Sequence, residues 1–308
     1  MDVVSDAIAA VRVGRPSSNR VRVGGSWCTR LAPYDGAGFH VVLEGSCWLL
    51  PDGGAPVSLG TGDAVLLPHG TGHVLADAPA DAATVRRAVP FEPWLDGTRP
   101  RQTGPATGAA ELLCGKYRLD RACVHPLMTE LPTVVHLPNR VGGHPELRAA
   151  IDLLGRELDA QRPGSHVAVP SLLDLLLVYM VRSWVAEDTT GVWPAVLNDP
   201  VTTLALRAMH SDPAAAWTND RLAAEAGVSR PTLARRFTAL VGRPPMAYLT
   251  WWRLTLAATL LRDTTDPLAT IAHRIGYGTP YAFSHAFKRE FGATPGQYRT
   301  EAAGRRGR

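Results

Sequence analysis

The strongest constraint in this sequence is a pattern that occurs twice in its last third. Two segments, starting at Leu222 and Ile271, share one internal spacing. In each, an Ala stands four residues before a Gly, an apolar residue stands four residues before a Phe, and G-x2-P-x2-Y closes the unit. The residues at these positions are Ala223, Gly227, Leu233, Phe237, Gly242, Pro245 and Tyr248, and then Ala272, Gly276, Phe283, Phe287, Gly292, Pro295 and Tyr298. The repetition predicts two copies of one supersecondary unit.

The shared spacing is typical of a helix-turn-helix. A small Ala on the first helix allows the second helix to cross closely, and Gly227 and Gly276 supply the positive φ of a tight turn. Ser229 and Thr279 stand where they can cap the second helices, and Pro280 suits a first helical turn. We therefore expect two helix-turn-helix units, each with its apolar stripe buried and the opposite stripe exposed.

The segment between the two units predicts a stiff spacer. Met246 to Arg262 spans 17 residues, about 25 Å if helical. Such a helix would hold two recognition helices about one turn of DNA apart, roughly 34 Å, on one face of the duplex.

The charge of the chain divides along the same line. Residues 204–308 contain 15 Lys and Arg against 7 Asp and Glu, whereas residues 1–203 contain 17 against 21, within an overall charge of +4. A basic third joined to an acidic remainder indicates that one domain binds a polyanion. The alternative is a helical bundle whose exposed faces are basic by chance.

The segment from about Leu204 to Arg299 resembles the DNA-binding domain of AraC/XylS-type bacterial transcription regulators. The resemblance rests on SRPTLARRF, PMAYLTWWRL and IAHRIGYGTPYAFSHAFKREFGATPGQYR. It implies sequence-specific binding of both units to the major groove of promoter double-stranded DNA. The positions it assigns to base contacts are Arg230, Pro231, Ala234, Arg235, Tyr281, Ala282, His285 and Lys288. Pro231 and Ala234 are poor hydrogen-bond donors, so readout by the first unit would rest mainly on Arg235.

The N-terminal part predicts a different fold. Residues 20–90 contain short β segments separated by Gly and Pro, which favours a small antiparallel barrel or sandwich. The stretch GDAVLLPHGTGHVLAD, with Gly62, Pro68, Gly70, His73 and Asp77, resembles the second motif of the cupin superfamily, a small antiparallel β-barrel. The combination also resembles the cupin-type ligand-binding domains of AraC-type regulators.

Helical patterns follow near residue 145. PELRAAIDLLGRELDAQ has apolar residues at helical spacing, and a second helix, opened by Pro170, is apolar nearly all round. Such a helix is buried in a core or against another subunit, which favours a homodimer. Its longest apolar run is interrupted by Asp174 and is shorter than a bilayer requires. The N-terminus lacks the pattern of a signal peptide, so we expect a cytoplasmic protein that does not enter a membrane.

These observations predict an α+β multidomain protein. Residues 1–144 would form a cupin-like antiparallel β-barrel that senses a ligand, and residues 145–190 a helical linker or dimerisation segment. Residues 200–300 would form an all-α DNA-binding domain with two helix-turn-helix units.

Four side chains are candidates for the sensor site. His40, Cys47, His73 and Cys114 could bind a small-molecule effector or a metal, and two imidazoles with a thiolate would suit Zn²⁺. The alternative is that the histidines are hydrogen-bonded structural residues and the thiols are small core side chains. Cys114 and Cys123 could instead form a redox pair, which requires an accessible thiolate of low pKa.

The function favoured by the sequence is transcription regulation in response to a small molecule, metal or oxidant. The rival function is a cupin metalloenzyme with an appended DNA-binding module. The places where cupin enzymes hold further ligands fall near Ala32, Tyr34 and Gly38, none of which is a ligand. No Ser-His-Asp, P-loop or G-x-G-x-x-G pattern occurs, so we expect no enzymatic activity.

Overall fold

The computed structural model describes residues 3–91, 109–119, 125–160, 162–187 and 191–306. The chain forms two compact units. We call Val13–Asp120 with Leu131–Glu187 the sandwich unit, and Met1–Arg12, Arg121–Glu130 and Asp188–Arg308 the helical unit. The division into three domains expected from the sequence stays a prediction. The two compact units have other boundaries.

Two five-stranded sheets form the sandwich unit. The strands of the described residues are β1 (Arg12–Val23), β2 (Cys28–Leu31), β3 (Gly36–Glu44), β4 (Ser46–Pro51), β5 (Val57–Gly60), β6 (Ala64–Leu67), β7 (His73–Ala76), β8 (Val89–Pro90), β9 (Ala110–Leu119) and β10 (Val135–Leu137). One sheet has the order β1-β9-β3-β6-β10, and the other has the order β5-β4-β7-β2-β8. Among the ladders with a described register, pairing is antiparallel except between β2 and β8.

The closed barrel expected from the sequence is wrong, because in the described part of the chain the strands divide between these two sheets. The chain passes from one sheet to the other at tight turns that contain a Gly of positive φ. Gly45, between β3 and β4, has a φ of 75°, and Gly70, between β6 and β7, has a φ of 61°. A Cβ on Gly45 would lie 2.1 Å from the Ala109 carbonyl oxygen, so only glycine fits this crossing.

The core of the sandwich unit lies between the inner faces of the two sheets. Val42 and Leu112 come from the first sheet, Leu49 and Leu75 come from the second, and all four are at most 1% exposed. Since side chains alternate between the faces of a strand, His40, Cys47, His73 and Cys114, each two residues from one of these, also point inward, and all four are buried.

Three helices belong to the sandwich unit and ten lie in the helical unit, among the described residues. Those of the sandwich unit are α2 (Ala82–Arg86), α4 (Pro145–Ala160) and α5 (Ser165–Glu187). Those of the helical unit are α1 (Val3–Val11), α3 (Pro126–Glu130), α6 (Val192–Asn198), α7 (Pro200–Ser211), α8 (Asn219–Glu225), α9 (Arg230–Val241), α10 (Pro245–Asp263), α11 (Leu268–Arg274), α12 (Pro280–Phe291) and α13 (Pro295–Arg306).

Helix α5 differs from the expectation in its start and its length. It begins at Ser165, five residues before Pro170, which lies inside the helix. Proline has no N–H, so the His166 carbonyl, four residues earlier, receives no intrahelical hydrogen bond from this position. At 23 residues, α5 is the one helix among the described residues that is long and apolar enough to cross a bilayer, and a third of its most apolar window is buried. The Tyr117 hydroxyl donates to the Leu173 carbonyl at 2.6 Å, which fixes α5 on the sandwich unit.

Local signals set the helix pairs α8/α9 and α11/α12. The turns between them contain Gly227 and Gly276, with φ of 66° and 81°. The Ser229 hydroxyl accepts from the Thr232 N–H at the start of α9, and the Thr279 hydroxyl accepts equivalently at α12. The capping and turn residues predicted from the sequence are thus confirmed.

A buried hydrogen-bonded chain joins distant segments of the helical unit. The Tyr248 hydroxyl on α10 lies 2.8 Å from His210 Nε2 and 3.2 Å from His125 Nε2. The other ring nitrogen of His210 lies 2.9 Å from an Asp6 carboxylate oxygen on α1. Burial lowers the pKa of His125, and burial likewise raises the pKa of Tyr248. The N-terminal helix is thereby part of the unit that carries the repeated helix pairs.

Candidate nucleic-acid interface and buried histidine pair

Helix α9 presents a polar face opposite its buried stripe. Leu233 and Phe237 are completely buried, and the Phe237 ring packs against Tyr248 of α10. Of the residues assigned to DNA contact on this helix, Arg230, Pro231 and Arg235 are exposed and Ala234 is half-buried. The helix therefore offers two exposed guanidinium groups at its N-terminal half.

Helix α12 repeats this arrangement. Phe283 and Phe287 are completely buried. The four residues assigned to DNA contact, Tyr281, Ala282, His285 and Lys288, are all exposed. Tyr281 is 83% exposed, which is unusual for a large ring without a protein partner to cover it.

Two adjacent arginines of α9 have different surroundings. Arg236 lies 3.8 Å from a carboxylate oxygen of Asp199, which caps α7. Arg235 lies one residue earlier, about 100° around the helix. Arg236 therefore lies near an acidic side chain, whereas Arg235 is exposed on the side of the helix opposite the buried Leu233 and Phe237.

Helix α10 connects the two helix pairs. It runs for 19 residues from Pro245 to Asp263, about 28 Å at the rise of an α-helix. Tyr248 contacts Phe237 of the first pair, and Leu254, Ala258 and Leu261 contribute to the core of the second pair. The helix is therefore packed against both pairs along its length.

A pair of histidines bridges the two sheets inside the sandwich unit. His40 on β3 and His73 on β7 both point inward, and their Nε2 atoms are 2.7 Å apart. They are 2% and 1% exposed. The Nδ1 atom of His73 lies 2.9 Å from the Thr71 carbonyl oxygen. Since a carbonyl only accepts, this Nδ1 carries the proton and His73 Nε2 accepts from His40 Nε2–H.

This arrangement leaves one buried acceptor without a partner. With its proton on Nε2, His40 has a lone pair on Nδ1, and that buried atom has no hydrogen-bond partner among the described residues. Burial, with the neighbouring His73 as a second cause, holds the pKa of His40 well below its usual value, and burial also lowers the pKa of His73. Both rings are neutral at physiological pH. An unpaired buried acceptor costs about 1–3 kcal/mol.

The two candidate thiols lie in the same core. Cys114 is directly opposite His40 in the register of β3 and β9, and Cys47 is on β4 of the other sheet. Burial, followed by the charge of Asp63, raises the pKa of Cys47 to about 12. Burial, followed by Cys47, raises the pKa of Cys114. Both side chains are therefore neutral thiols at physiological pH.

The four side chains do not fit a zinc ion as they are placed. Two nitrogens bound to zinc at about 2.1 Å in tetrahedral geometry are roughly 3.4 Å apart, whereas the two Nε2 atoms are at hydrogen-bond distance. Among the described residues, no three His, Cys, Asp or Glu side chains form a group that could hold a metal ion. The arrangement fits a hydrogen-bonded pair with one open acceptor.

The structure does not supply what the redox hypothesis requires of Cys114. A redox-sensing thiol is accessible and has a low pKa. Cys114 is 3% exposed, and its pKa is raised. Cys123 lies outside the described residues.

Sequence reasoning missed two contributors to these arrangements. The Thr71 carbonyl sets the tautomer of His73, and a backbone group leaves no signal in residue identity. Arg253 on α10 binds two backbone carbonyls, and the only signal for it is a basic residue within an apolar helix.

Comparison with known proteins identifies both halves of the chain. The cupin family profile matches residues 2–186, and a helix-turn-helix domain profile matches residues 222–301. The protein thus joins a cupin-type domain to a helix-turn-helix domain, the class of DNA-binding transcription regulators with an N-terminal cupin.

Relatives that match over nearly the whole chain define the family. An AraC-like transcription regulator of Streptomyces antibioticus is 35% identical, over 97% of this chain and 98% of the relative. The transcriptional regulator MtrA of Neisseria gonorrhoeae is 30% identical, over 98% of this chain and 99% of the relative. The chain belongs to the AraC-like transcription regulators. It is a DNA-binding transcription regulator, which is the function favoured by the sequence.

A solved structure is similar to the C-terminal part. The DNA-binding domain of AdpA in complex with a target DNA is 31% identical, over 36% of this chain and 99% of that chain, with a TM-score of 0.34.

The neutral histidine pair predicts a specific dependence of stability on pH. Because their pKa values are lowered in the folded state, His40 and His73 bind protons more readily in the unfolded chain. Stability is therefore complete above the unfolded pKa of about 6.5 and falls as the pH decreases below it, by roughly 1 kcal/mol per pH unit for each histidine.

Urea denaturation from pH 7.5 to 5 measures this effect. The double variant His40→Leu/His73→Leu is expected to be as stable as the wild type at pH 7.5 or more so, since both partners are replaced by apolar groups. Its stability should fall less steeply with acid than that of the wild type. Equal slopes for the two proteins would contradict the neutral pair.

Proposed function

We propose that this regulator binds promoter DNA through two helix-turn-helix units, with α9 and α12 as the recognition helices. The residues that would contact DNA are Arg230, Pro231, Ala234, Arg235, Tyr281, Ala282, His285 and Lys288. The observation that carries this proposal is that two helices at the same places in a repeat both bury an apolar stripe and expose the opposite face. Arg and Lys can contact phosphates and guanine, and Tyr and His can contact base edges or phosphates.

The composition of the two faces suggests a division of roles. On α9, Pro231 and Ala234 donate no side-chain hydrogen bond, so Arg235 is the main group for base readout. On α12, Tyr281, His285 and Lys288 offer three polar side chains within two turns. We expect α12 to contribute more base-specific hydrogen bonds than α9. As a promoter-binding protein, the regulator would act in the cytoplasm.

Arg235 and Arg236 provide a matched test of the recognition face. Arg235→Ala is expected to weaken binding to a selected promoter about 10-fold or more, because a bidentate arginine contributes roughly 1–3 kcal/mol of discrimination. Arg236→Ala removes the same charge from the same helix but from a side chain that faces Asp199, so its effect should be about 3-fold or less.

Fluorescence anisotropy with labelled promoter DNA, at several salt concentrations, measures both variants. Phosphate contacts make binding of the wild type fall steeply with salt. If Arg236→Ala weakened binding as much as Arg235→Ala, the assigned face would be wrong.

The sensor site we propose is the core around the buried histidine pair. A small-molecule effector with a hydroxyl or N–H group would donate to the open Nδ1 of His40, and Cys47 and Cys114 would offer apolar contact. This proposal rests on the unpaired acceptor, because a buried polar atom that costs stability in the free protein is relieved by a ligand that pairs with it. Effector binding would act by favouring one state of the regulator over another.

A melting-temperature screen against small polar molecules and zinc tests the sensor proposal. Hits are expected to carry a hydrogen-bond donor, to raise the melting temperature of the wild type, and to have no effect on His40→Leu/His73→Leu. Ligands that stabilise the double variant equally would place the sensor site elsewhere. Stabilisation by zinc alone would replace the hydrogen-bonded ligand with a metal.

We further propose that the helical hairpin α4–α5 pairs with a second copy of the chain. Three of the exposed large hydrophobic residues in the described structure lie on this hairpin: Leu153, Val167 and Leu175. They are 46%, 74% and 38% exposed. An apolar surface on a helix whose other face already packs against its own unit favours a homodimer.

Native mass spectrometry tests the dimer with a matched pair of variants. The wild type is expected at twice 33.0 kDa, and Leu175→Lys is expected to be largely monomeric because a lysine in the interface would bury an unpaired charge. Val141→Lys is the control, since Val141 is fully exposed and lies outside the hairpin. A monomeric wild type, or a dimeric Leu175→Lys, would contradict this interface. If the wild-type protein instead floated with lipid vesicles, the apolar face would bind a bilayer and the dimer proposal would be wrong.

A further inference from the structure

An arginine of the connecting helix holds the loop that precedes the first helix pair. Arg253, near the middle of α10, donates from Nε to the Pro213 carbonyl at 2.6 Å and from Nη2 to the Ala215 carbonyl at 2.8 Å. Both carbonyls belong to the loop between α7 and α8. Burial lowers the pKa of Arg253, with Tyr277 and Asp212 acting in the opposite direction. The contact therefore consists of two partly buried hydrogen bonds between a helix and a loop.

The loop is itself rigidly built. The Asp212 carboxylate accepts from the Ala215 N–H, and the Asp212 carbonyl accepts from Trp217 Nε1 at 2.8 Å. The Arg221 guanidinium lies 4.1 Å from the centre of the Trp217 ring. Since Arg221 is on α8, the loop held by Arg253 is continuous with the first helix pair.

The turn of the second helix pair rests on the same loop. A Cβ built on Gly276, in the turn between α11 and α12, would lie 2.8 Å from the Ala214 carbonyl oxygen and 3.1 Å from the guanidinium carbon of Arg253. Gly227 occupies the equivalent turn of the first pair, and a Cβ there would meet nothing within 4 Å. Both glycines have positive φ, but only Gly276 is also required by a close neighbour.

We infer that Arg253 is a positioning residue that fixes the distance and rotation between the two recognition helices. Its hydrogen bonds join α10 to the loop 213–215, and the Gly276 turn packs against the same loop. The first pair, the connecting helix and the second pair therefore all meet at this loop. This inference rests on the proposed function, because it requires that α9 and α12 both bind DNA.

The guanidinium group suits this role for a geometric reason. Its planar fork donates to two carbonyls at once with little loss of further freedom, whereas a lysine ammonium is a point donor on a flexible stem. Without the double contact, the two pairs would remain joined by α10 but would lose the fixed angle set by the loop.

A fixed angle has a measurable consequence on DNA. One extra base pair moves the second contacted segment by about 3.4 Å and rotates it by about 35°. If the two helix pairs are rigidly connected, they cannot bind both segments after the insertion. If the connection is flexible, the second pair still binds its segment at nearly the same effective concentration. The ratio of affinities for correct and altered spacing therefore reports the rigidity of the connection, independently of overall stability.

The experiment begins by selecting high-affinity sites from random DNA with the purified full-length protein. Sites with one and two base pairs inserted between the two contacted segments are then compared with the selected site. The test variants are Arg253→Lys, which keeps the charge, and Gly276→Ala. The matched controls are Arg207→Lys, at an exposed arginine of α7, and Gly227→Ala, which has the same backbone strain without the close neighbour.

The wild type and both controls are expected to lose about 100-fold in affinity on insertion of one base pair, and Arg253→Lys and Gly276→Ala only about 10-fold. Melting temperatures and affinity for a single contacted segment serve to separate lost folding from lost rigidity. If all five proteins show the same spacing ratio, Arg253 does not set the geometry and the proposed function stands. If the wild type selects sites with only one contacted segment, the proposed function itself fails.

Discussion

The same aromatic contact occurs twice in the helical unit, and it determines which side of α9 and of α12 is buried. Phe237 of α9 meets Tyr248 of α10 with ring centres 5.7 Å apart and planes at 72°. Phe287 of α12 meets Tyr298 of α13 at 5.4 Å and 81°. Edge-to-face pairs of this kind have a preferred geometry in addition to the area that they bury. Each pair fixes which side of its helix is buried, and the opposite side becomes the face proposed to bind DNA.

The helical unit could be predicted from the sequence because its signals are local. A Gly in the turn, a hydroxyl at the N-cap and an apolar stripe lie within one unit of about 30 residues. Gly227, Ser229 and Phe237 therefore specify the local structure without distant partners. The sandwich unit was predicted less completely. Its strands were recognised by their pattern, but whether they close a barrel depends on hydrogen bonds between distant strands, such as β1 and β9.

The same distinction applies to the candidate sites. Alternation along β3 and the cupin-like motif placed His40 and His73 in one interior, and the structure brings them into contact. What sequence could not provide is the protonation pattern, because it depends on the Thr71 carbonyl and on the absence of a donor near His40 Nδ1. The histidines for which the sequence predicted a zinc site therefore form a neutral hydrogen-bonded pair in the structure. The start of α5 differs from the prediction because proline favours the first helical position, whereas Pro170 lies inside the helix.

The polar groups singled out in the two units differ in how fully they are hydrogen-bonded. In the helical unit, His210 binds Asp6 and Tyr248 on two different helices, and Arg253 binds two carbonyls of one loop. Both sets of contacts restrict the movement of the helices relative to one another. In the sandwich unit, His40 keeps one acceptor open inside an apolar core. A saturated network resists change because every alternative arrangement loses a hydrogen bond, whereas an open acceptor gives a ligand a free-energy difference to act on. The proposed DNA contacts therefore rest on helices joined by paired polar groups, and the proposed sensor site rests on an acceptor that a ligand could pair.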